Sequence, residues 1–182
     1  MHGNAADPGE TLRRGLEQLG ITLPGDGRDI LLHYTELMLK WNRVYNLTSI
    51  RIPAQMVTRH LLDSLSVLPW IKGPDLLDVG TGPGLPGIPL AVARPDLDVV
   101  LLDSNAKKVR FLTQVVAELG LEGVTAVRGR VEEYRPPERF DTIIARAYSS
   151  VEKLCSAAGP LLRGDGRLLA MKGVYPVAEL EA

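Results

Sequence analysis

The chain has 182 residues, of which 45% are hydrophobic and 24% charged, a balance that suits one globular domain with a small appendage and excludes the disordered, collagenous and disulfide-built classes. The net charge of −1 gives no global basic signal for nucleic acid, the single Cys155 allows no internal disulfide, and no Cys/His spacing suggests a metal site, so no metal is expected. Residues Met1 to Gly9 hold no apolar leader core and no later apolar run approaches the ~20 residues that cross a bilayer, so we expect a soluble, cytoplasmic monomer.

From the amino terminus to Gly73-Pro74 the pattern is helical. Asp7-Pro-Gly-Glu10 reads as a capping box with proline at the first helical position, and Leu12, Leu16 and Leu19 follow at helix spacing. Leu31, Tyr34, Leu37/Met38, Trp41 and Val44/Tyr45 form a second apolar stripe, and Met56, His60/Leu61, Ser64/Leu65 and Leu68 a third. The intervening Asn46-Leu-Thr-Ser-Ile-Arg-Ile-Pro53 reads as a loop. Residues 37–62 carry Lys40, Arg43, Arg51 and Arg59 with no acid, and residues 104–117 carry Lys107, Lys108 and Arg110 with none; each run is either a solvated face or a polyanion contact.

After Gly73 short apolar runs alternate with amphipathic segments, the pattern of βαβ units and a mostly parallel sheet. Strands are expected at 75–79, 97–102, 124–128, 140–145 and 166–171, and helices near 85–93, 105–119 and 150–162. The fold class is therefore α/β and Rossmann-like. A helical extension over 1–72 and an α/β domain over 73–182 are expected to pack as one unit.

The chemistry centres on Leu76-Leu-Asp-Val-Gly-Thr-Gly-Pro-Gly-Leu-Pro-Gly87, which runs from an apolar strand through glycines into a helix. The alternatives are an ordinary tight turn and a ligand loop in which Gly80, Gly82 and Gly84 let the backbone approach a bound molecule. A dinucleotide fingerprint would need glycine at 85, where Leu85 stands. Asp78 ends the strand instead, and a carboxylate there would accept a bond from a ligand ammonium and repel a pyrophosphate. That favours an amino-acid-bearing nucleoside, S-adenosylmethionine. Asp103 closes the next strand, where a carboxylate can accept two bonds from a ribose diol; its alternative is a helix N-cap for the segment from Asn105.

Lys40-Trp-Asn-x-x-Tyr-Asn-Leu-Thr-Ser49, Arg59-His-Leu-Leu-Asp-Ser64, Asp78-Val-Gly-Thr-Gly-Pro-Gly-Leu-Pro-Gly-Ile-Pro89, Lys108-Val-Arg-Phe-Leu112, Arg130-Val-Glu-Glu133, Ala145-Arg-Ala147 and Met171-Lys-Gly173 together resemble the glucose-inhibited division protein B (RsmG) family. That resemblance implies a class I methyltransferase that transfers methyl from S-adenosylmethionine to guanine N7 in 16S rRNA, free or in the small ribosomal subunit. It further implies that Gly80 and Leu85 line the cofactor, that Val131 and Glu132 flank its adenine, and that Arg146 closes the pocket. Family members usually continue past the Lys-Gly strand end into a helix and two more strands. Here the chain stops at Ala182, so those strands are expected to be missing and the fifth strand to be an edge.

Arg146 follows the fourth strand, on the side where sheet ligands sit. Asn46 in its loop, and His60 and Asp63 three residues apart on one helix face, join it as catalytic candidates. Arg43, Arg51, Arg59, Lys107, Arg130 and Lys172 are the candidate RNA contacts. The competing readings are a class I methyltransferase with another substrate, against which the Trp41 to Ser64 block argues, and an RNA- or ribosome-binding fragment without turnover.

Overall fold

The computed structural model describes residues 7–174, Pro176 and Val177. The chain end at Glu179 to Ala182, on which the expectation of missing strands rested, lies outside the described residues.

Local chemistry sets the first helices. The Asp7 carboxylate accepts the Glu10 amide at 2.8 Å and Pro8 opens α1 (Pro8–Leu19) with the φ a first helical residue needs. The reciprocal half of the capping box does not form, because the Glu10 carboxylate turns to two guanidiniums, Arg13 and Arg14. α2 (Gly27–Tyr45) ends at Asn46, whose left-handed φ of 49° turns the chain into the expected loop. The third stripe is not one regular helix. It runs as α3 (Pro53–Met56), a π-helical turn (Val57–Leu62) and α4 (Asp63–Leu65). Its buried residues recur every four positions, Met56/Val57, His60/Leu61 and Ser64/Leu65, a longer repeat than the roughly 3.6 of a regular helix, which wider turns accommodate.

The α/β part contains β1 (Asp75–Val79), α5 (Gly87–Ala93), β2 (Asp98–Asp103), α6 (Ala106–Glu118), β3 (Val124–Arg128), β4 (Phe140–Arg146), α7 (Val151–Ala158) and β5 (Leu162–Met171). All five expected strands are present. Most boundaries fall within two residues of expectation, and the largest differences are at α7 and β5: α7 stops at Ala158, because Gly159-Pro160 opens a 3-10 turn and proline has no N–H to continue a helix, and β5 starts four residues earlier than expected. The sheet is parallel in the order β3-β2-β1-β4-β5, and among the described residues β5 pairs on one side only.

Alternation along the strands builds two cores. Leu76, Val99, Leu101 and Ile144 face a core shared by α1, α2, α5 and α6, with Leu12, Leu31, Met38 and Phe111 buried in it. Leu77, Val79, Leu102 and Ile143 face the other side, under Leu154 and Ala158 of α7. The helical layer is welded to the sheet domain by aromatic contact: Trp41 stacks on Tyr45 (centroids 5.2 Å apart) and meets Phe111 of α6 at 5.6 Å. From central β1 the chain winds outward to β2 and β3, then crosses back to β4. The carboxyl ends of β1 and β4 therefore flank the switch point at which open α/β sheets bind ligands.

Candidate functional site

Asp78 sits at that switch point, fully buried. Its Oδ2 accepts the Thr81 hydroxyl at 2.6 Å and the Gly87 amide at 2.8 Å, while Oδ1 is buried with no partner. Burial pushes this carboxyl up to about 7, against the pull of those two donors and of Arg146. The sequence reading gave Asp78 wholly to a ligand. In the fold one oxygen holds the glycine loop and the other is left over, which is the atom an ammonium could satisfy.

The loop that follows needs its glycines for two different reasons. Gly80 has a φ of 66° and nothing within 4 Å of where a Cβ would stand, so its outer side is open to a ligand. Gly84 has a φ of 104°, and a Cβ there would collide with Ile88 and lie 2.9 Å from Leu112. Gly82 donates its amide to Asp103 Oδ2 at 2.9 Å.

Asp103, 6% exposed, accepts the Asn105 amide through Oδ1 at 2.8 Å, with Lys108 Nζ 3.6 Å from Oδ2. It is not the cap of α6; Asn105 is, accepting the Lys107 amide. Asp103 instead borders a cleft of about 350 Å³ with Gly80, Ser104, Lys108, Arg130, Val131, Glu132 and Tyr148. Burial, and then the Glu132 carboxylate beside it, raise the Tyr148 phenol.

A second, larger groove of about 710 Å³ is lined by His60, Asp63, Trp70, Arg146, Lys172 and the end of β5. Arg146 Nη1 lies 3.4 Å from Asp63 Oδ2 and 3.3 Å from the Arg59 carbonyl, a loose hold for a guanidinium. The next residue, Ala147, has a left-handed φ of 59°. His60 is nearly buried, with Nε2 2.8 Å from the Thr48 hydroxyl and Nδ1 3.0 Å from the Arg59 carbonyl. Burial and the Arg146 charge lower its affinity for a proton, so the ring stays neutral at neutral pH.

The fold thus sorts the sequence candidates. Gly80, Asp103, Val131, Glu132 and Arg130 share the smaller cleft; Arg146, His60, Asp63 and Lys172 share the larger groove, with Lys172 Nζ donating to the Tyr148 carbonyl at 3.2 Å. Leu85 does neither, because its side chain is 1% exposed and belongs to the apolar core. Gly82 and Gly84 shape the loop without lining the cleft. Asn46 is exposed beyond the end of α2, away from both depressions. Arg43, Arg51, Arg59 and Lys107 are exposed, with only the Arg59 carbonyl touching the groove.

Three residues that sequence reasoning passed over organise the site. Asn42, buried, bonds the Thr48 carbonyl and amide at 2.9 and 3.0 Å, and so closes the 46–52 loop onto α2. Thr48 then holds His60. Tyr34 donates its hydroxyl to the Pro83 carbonyl at 2.7 Å. The spacing Asn42-x5-Thr48 was a readable sign of a side chain closing a short loop. Tyr34 carried no such sign, being one apolar position in a stripe.

The family model for GidB, described as rRNA small subunit methyltransferase G, matches residues 28–182. A ribosomal RNA small subunit methyltransferase G of Alkalilimnicola ehrlichii is 52% identical over 94% of this chain and 78% of its own length. One of Methylococcus capsulatus is 53% identical over 93% of this chain and 82% of its own length. Among solved structures, a putative S-adenosyl-L-methionine-dependent methyltransferase from Methanococcus maripaludis aligns with a TM-score of 0.55 at 18% identity, over 75% of this chain and 61% of that one, a likeness of fold.

Proposed function

Because the chain belongs to the GidB family, rRNA small subunit methyltransferase G, we propose that it transfers a methyl group from S-adenosylmethionine to N7 of a guanine in 16S rRNA, using the two depressions as cofactor cleft and base groove. The observation that carries this reading is the pair at the switch point: the unpartnered Asp78 Oδ1 at the end of β1, and Arg146 at the end of adjoining β4.

The residues fit the cofactor. Asp78 Oδ1 suits the ammonium of its amino-acid end, the Asp103 carboxylate has lone pairs left for a ribose diol, and Val131 and Glu132 offer an apolar wall and an acceptor to an adenine. Bound there, S-adenosylmethionine supplies a methyl already activated on sulfonium. Guanine N7 carries a free lone pair and no proton, so the protein needs no general base. Its work is to hold the base in line, which alone accelerates transfer greatly. Arg146 and Asp63 supply a donor and an acceptor on the groove wall, and neutral His60 stiffens it through Thr48.

In this reading the helices before Gly73 form the wall that meets RNA and the sheet with its helices the cofactor domain, acting as a monomer in the cytoplasm, where an exposed Cys155 stays reduced. Arg43, Arg51 and Arg59 on one side, and Lys107, Arg130 and Lys172 near the depressions, contact phosphates. The test is labelled methyl transfer to small-subunit particles and to free 16S rRNA, with the methylated atom mapped. Modification at guanine N7 supports the reading, and modification elsewhere refutes it. Reversing Arg43, Arg51 and Arg59 together should weaken RNA binding at low salt; unchanged affinity would remove them from the interface.

A further inference from the structure

We propose that Tyr34 is a positioning residue for the cofactor: through its phenol, α2 sets the orientation of Asp78 by way of the glycine loop. This rests on the reading of that loop as the cofactor loop.

Tyr34 is fully buried, so its hydroxyl has given up water and must recover the bond inside the protein. It does so on a residue 49 positions away, the Pro83 carbonyl at 2.7 Å. The rest of the loop's bonding stays within the loop or reaches the end of adjoining β2. The Gly80 and Thr81 amides donate to the Leu102 carbonyl at 2.8 and 3.2 Å, and the Gly84 and Leu85 amides to the Thr81 carbonyl at 3.0 and 2.9 Å. Gly82 donates to Asp103. Among the described residues, the Tyr34 bond is the one hydrogen bond from the helical layer to this loop.

Its position within the loop gives it leverage. Pro83 has no N–H, so its own nitrogen can make no hydrogen bond. The Pro83–Gly84 peptide plane is held instead at both ends, its oxygen by Tyr34 and its N–H by the Thr81 carbonyl. The Thr81 hydroxyl in turn donates to Asp78 Oδ2. Tyr34, the 83–84 peptide, Thr81 and Asp78 thus form one relay that ends on the carboxylate whose second oxygen lacks a partner. Pro83 lies in the loop that leaves β1 at the switch point, so the Tyr34 bond ties α2 to that point. A phenylalanine would fill the same space and delete only the relay's first bond.

The experiment is calorimetric titration of S-adenosylmethionine into the full chain, native and carrying Tyr34→Phe, Thr81→Ala, or both. The native chain should bind; failure there overturns the cofactor reading and this proposal together. Tyr34→Phe should weaken binding about tenfold. The KM for S-adenosylmethionine should rise alike while that for RNA stays unchanged. The two substitutions should couple, the double variant losing much less than the product of the single losses. Thr35→Ala, which removes a buried hydroxyl on α2 bonded only to the Leu31 carbonyl, should leave the affinity unchanged. Native affinity in Tyr34→Phe within twofold, or independent losses in the double variant, would overturn the relay while leaving the cofactor reading standing. Should Tyr34→Phe fail to fold, amide exchange at Gly84 in the native chain decides: added S-adenosylmethionine should slow it, and unchanged exchange counts against the relay.

Discussion

The two ends of the sheet are built on opposite principles. At the amino ends of the strands, Arg163 is gripped by Asp141 at 2.6 Å and Asp75 at 2.7 Å, Lys72 pairs with Asp165 at 2.7 Å, and the Thr142 hydroxyl bridges the Lys72 backbone. At the carboxyl ends, Asp78 keeps an oxygen without a partner and Arg146 holds Asp63 only at 3.4 Å. One end has used up its polar groups on itself; the other holds some in reserve. Since both ends belong to the same strands, the difference is not in the scaffold but in where the chain leaves charges unspent for a ligand.

Removing the reserve should hurt function most. Arg146→Ala should slow single-turnover methyl transfer about 100-fold by letting the base wander in the groove, and His60→Ala should cost less because His60 acts through the wall; equal or reversed losses would break the ranking. Asp78→Asn should weaken S-adenosylmethionine binding roughly 10- to 100-fold, the worth of a charged hydrogen bond, while the amide oxygen keeps the Thr81 and Gly87 bonds. The pH signs follow from a folded carboxyl raised to about 7 from an ordinary 3.8. The free protein holds that proton more tightly folded than unfolded, so its contribution to stability is complete below 3.8 and is lost as pH rises to about 7. Affinity for the ammonium rises over the same range. Melting curves from pH 5 to 8 on Asp78→Asn should lose this fall, and titrations should lose the rise.

Thr48→Val should lower the melting temperature by about 2–4 °C if about 1 kcal/mol of hydrogen bonding to His60 and the Ile50 amide is lost, with a smaller effect on turnover than His60→Ala. Arg163→Met, at the satisfied end, should shift the melting point by a few degrees at most and leave cofactor affinity untouched. The guanidinium holds the Asp141 carboxyl below its usual range, so the stability it confers is present at neutral pH and is lost as pH falls through that lowered value. A change in S-adenosylmethionine affinity in Arg163→Met would show that the two ends are not separable.

The contrast also explains what could be read beforehand. Strand positions and the glycine loop announce themselves through alternation and backbone need, both local properties of the chain. Asp103 could be placed at a strand end, but whether it capped α6 depended on Asn105 outcompeting it, which only the turn geometry decides. The direction of the Leu85 side chain could not be read, because adjacency to a ligand loop does not say which way a side chain points; in the fold it enters the apolar core. Asn42 carried little sign of its role because a polar residue inside a helix looks solvated, whereas here it does the bonding that closes the loop. The π turn at Val57–Leu62 was hidden by an apolar spacing that a regular helix fits nearly as well.

Ala147 has a further consequence for anyone who would remodel this chain. An alanine in the left-handed region carries a strain of about 1–3 kcal/mol that glycine would not, so a search for heat resistance will be drawn to Ala147→Gly. The same exchange loosens the joint by which β4 delivers Arg146 to the groove, and the most tempting stabilising substitution is therefore the one that trades away aim.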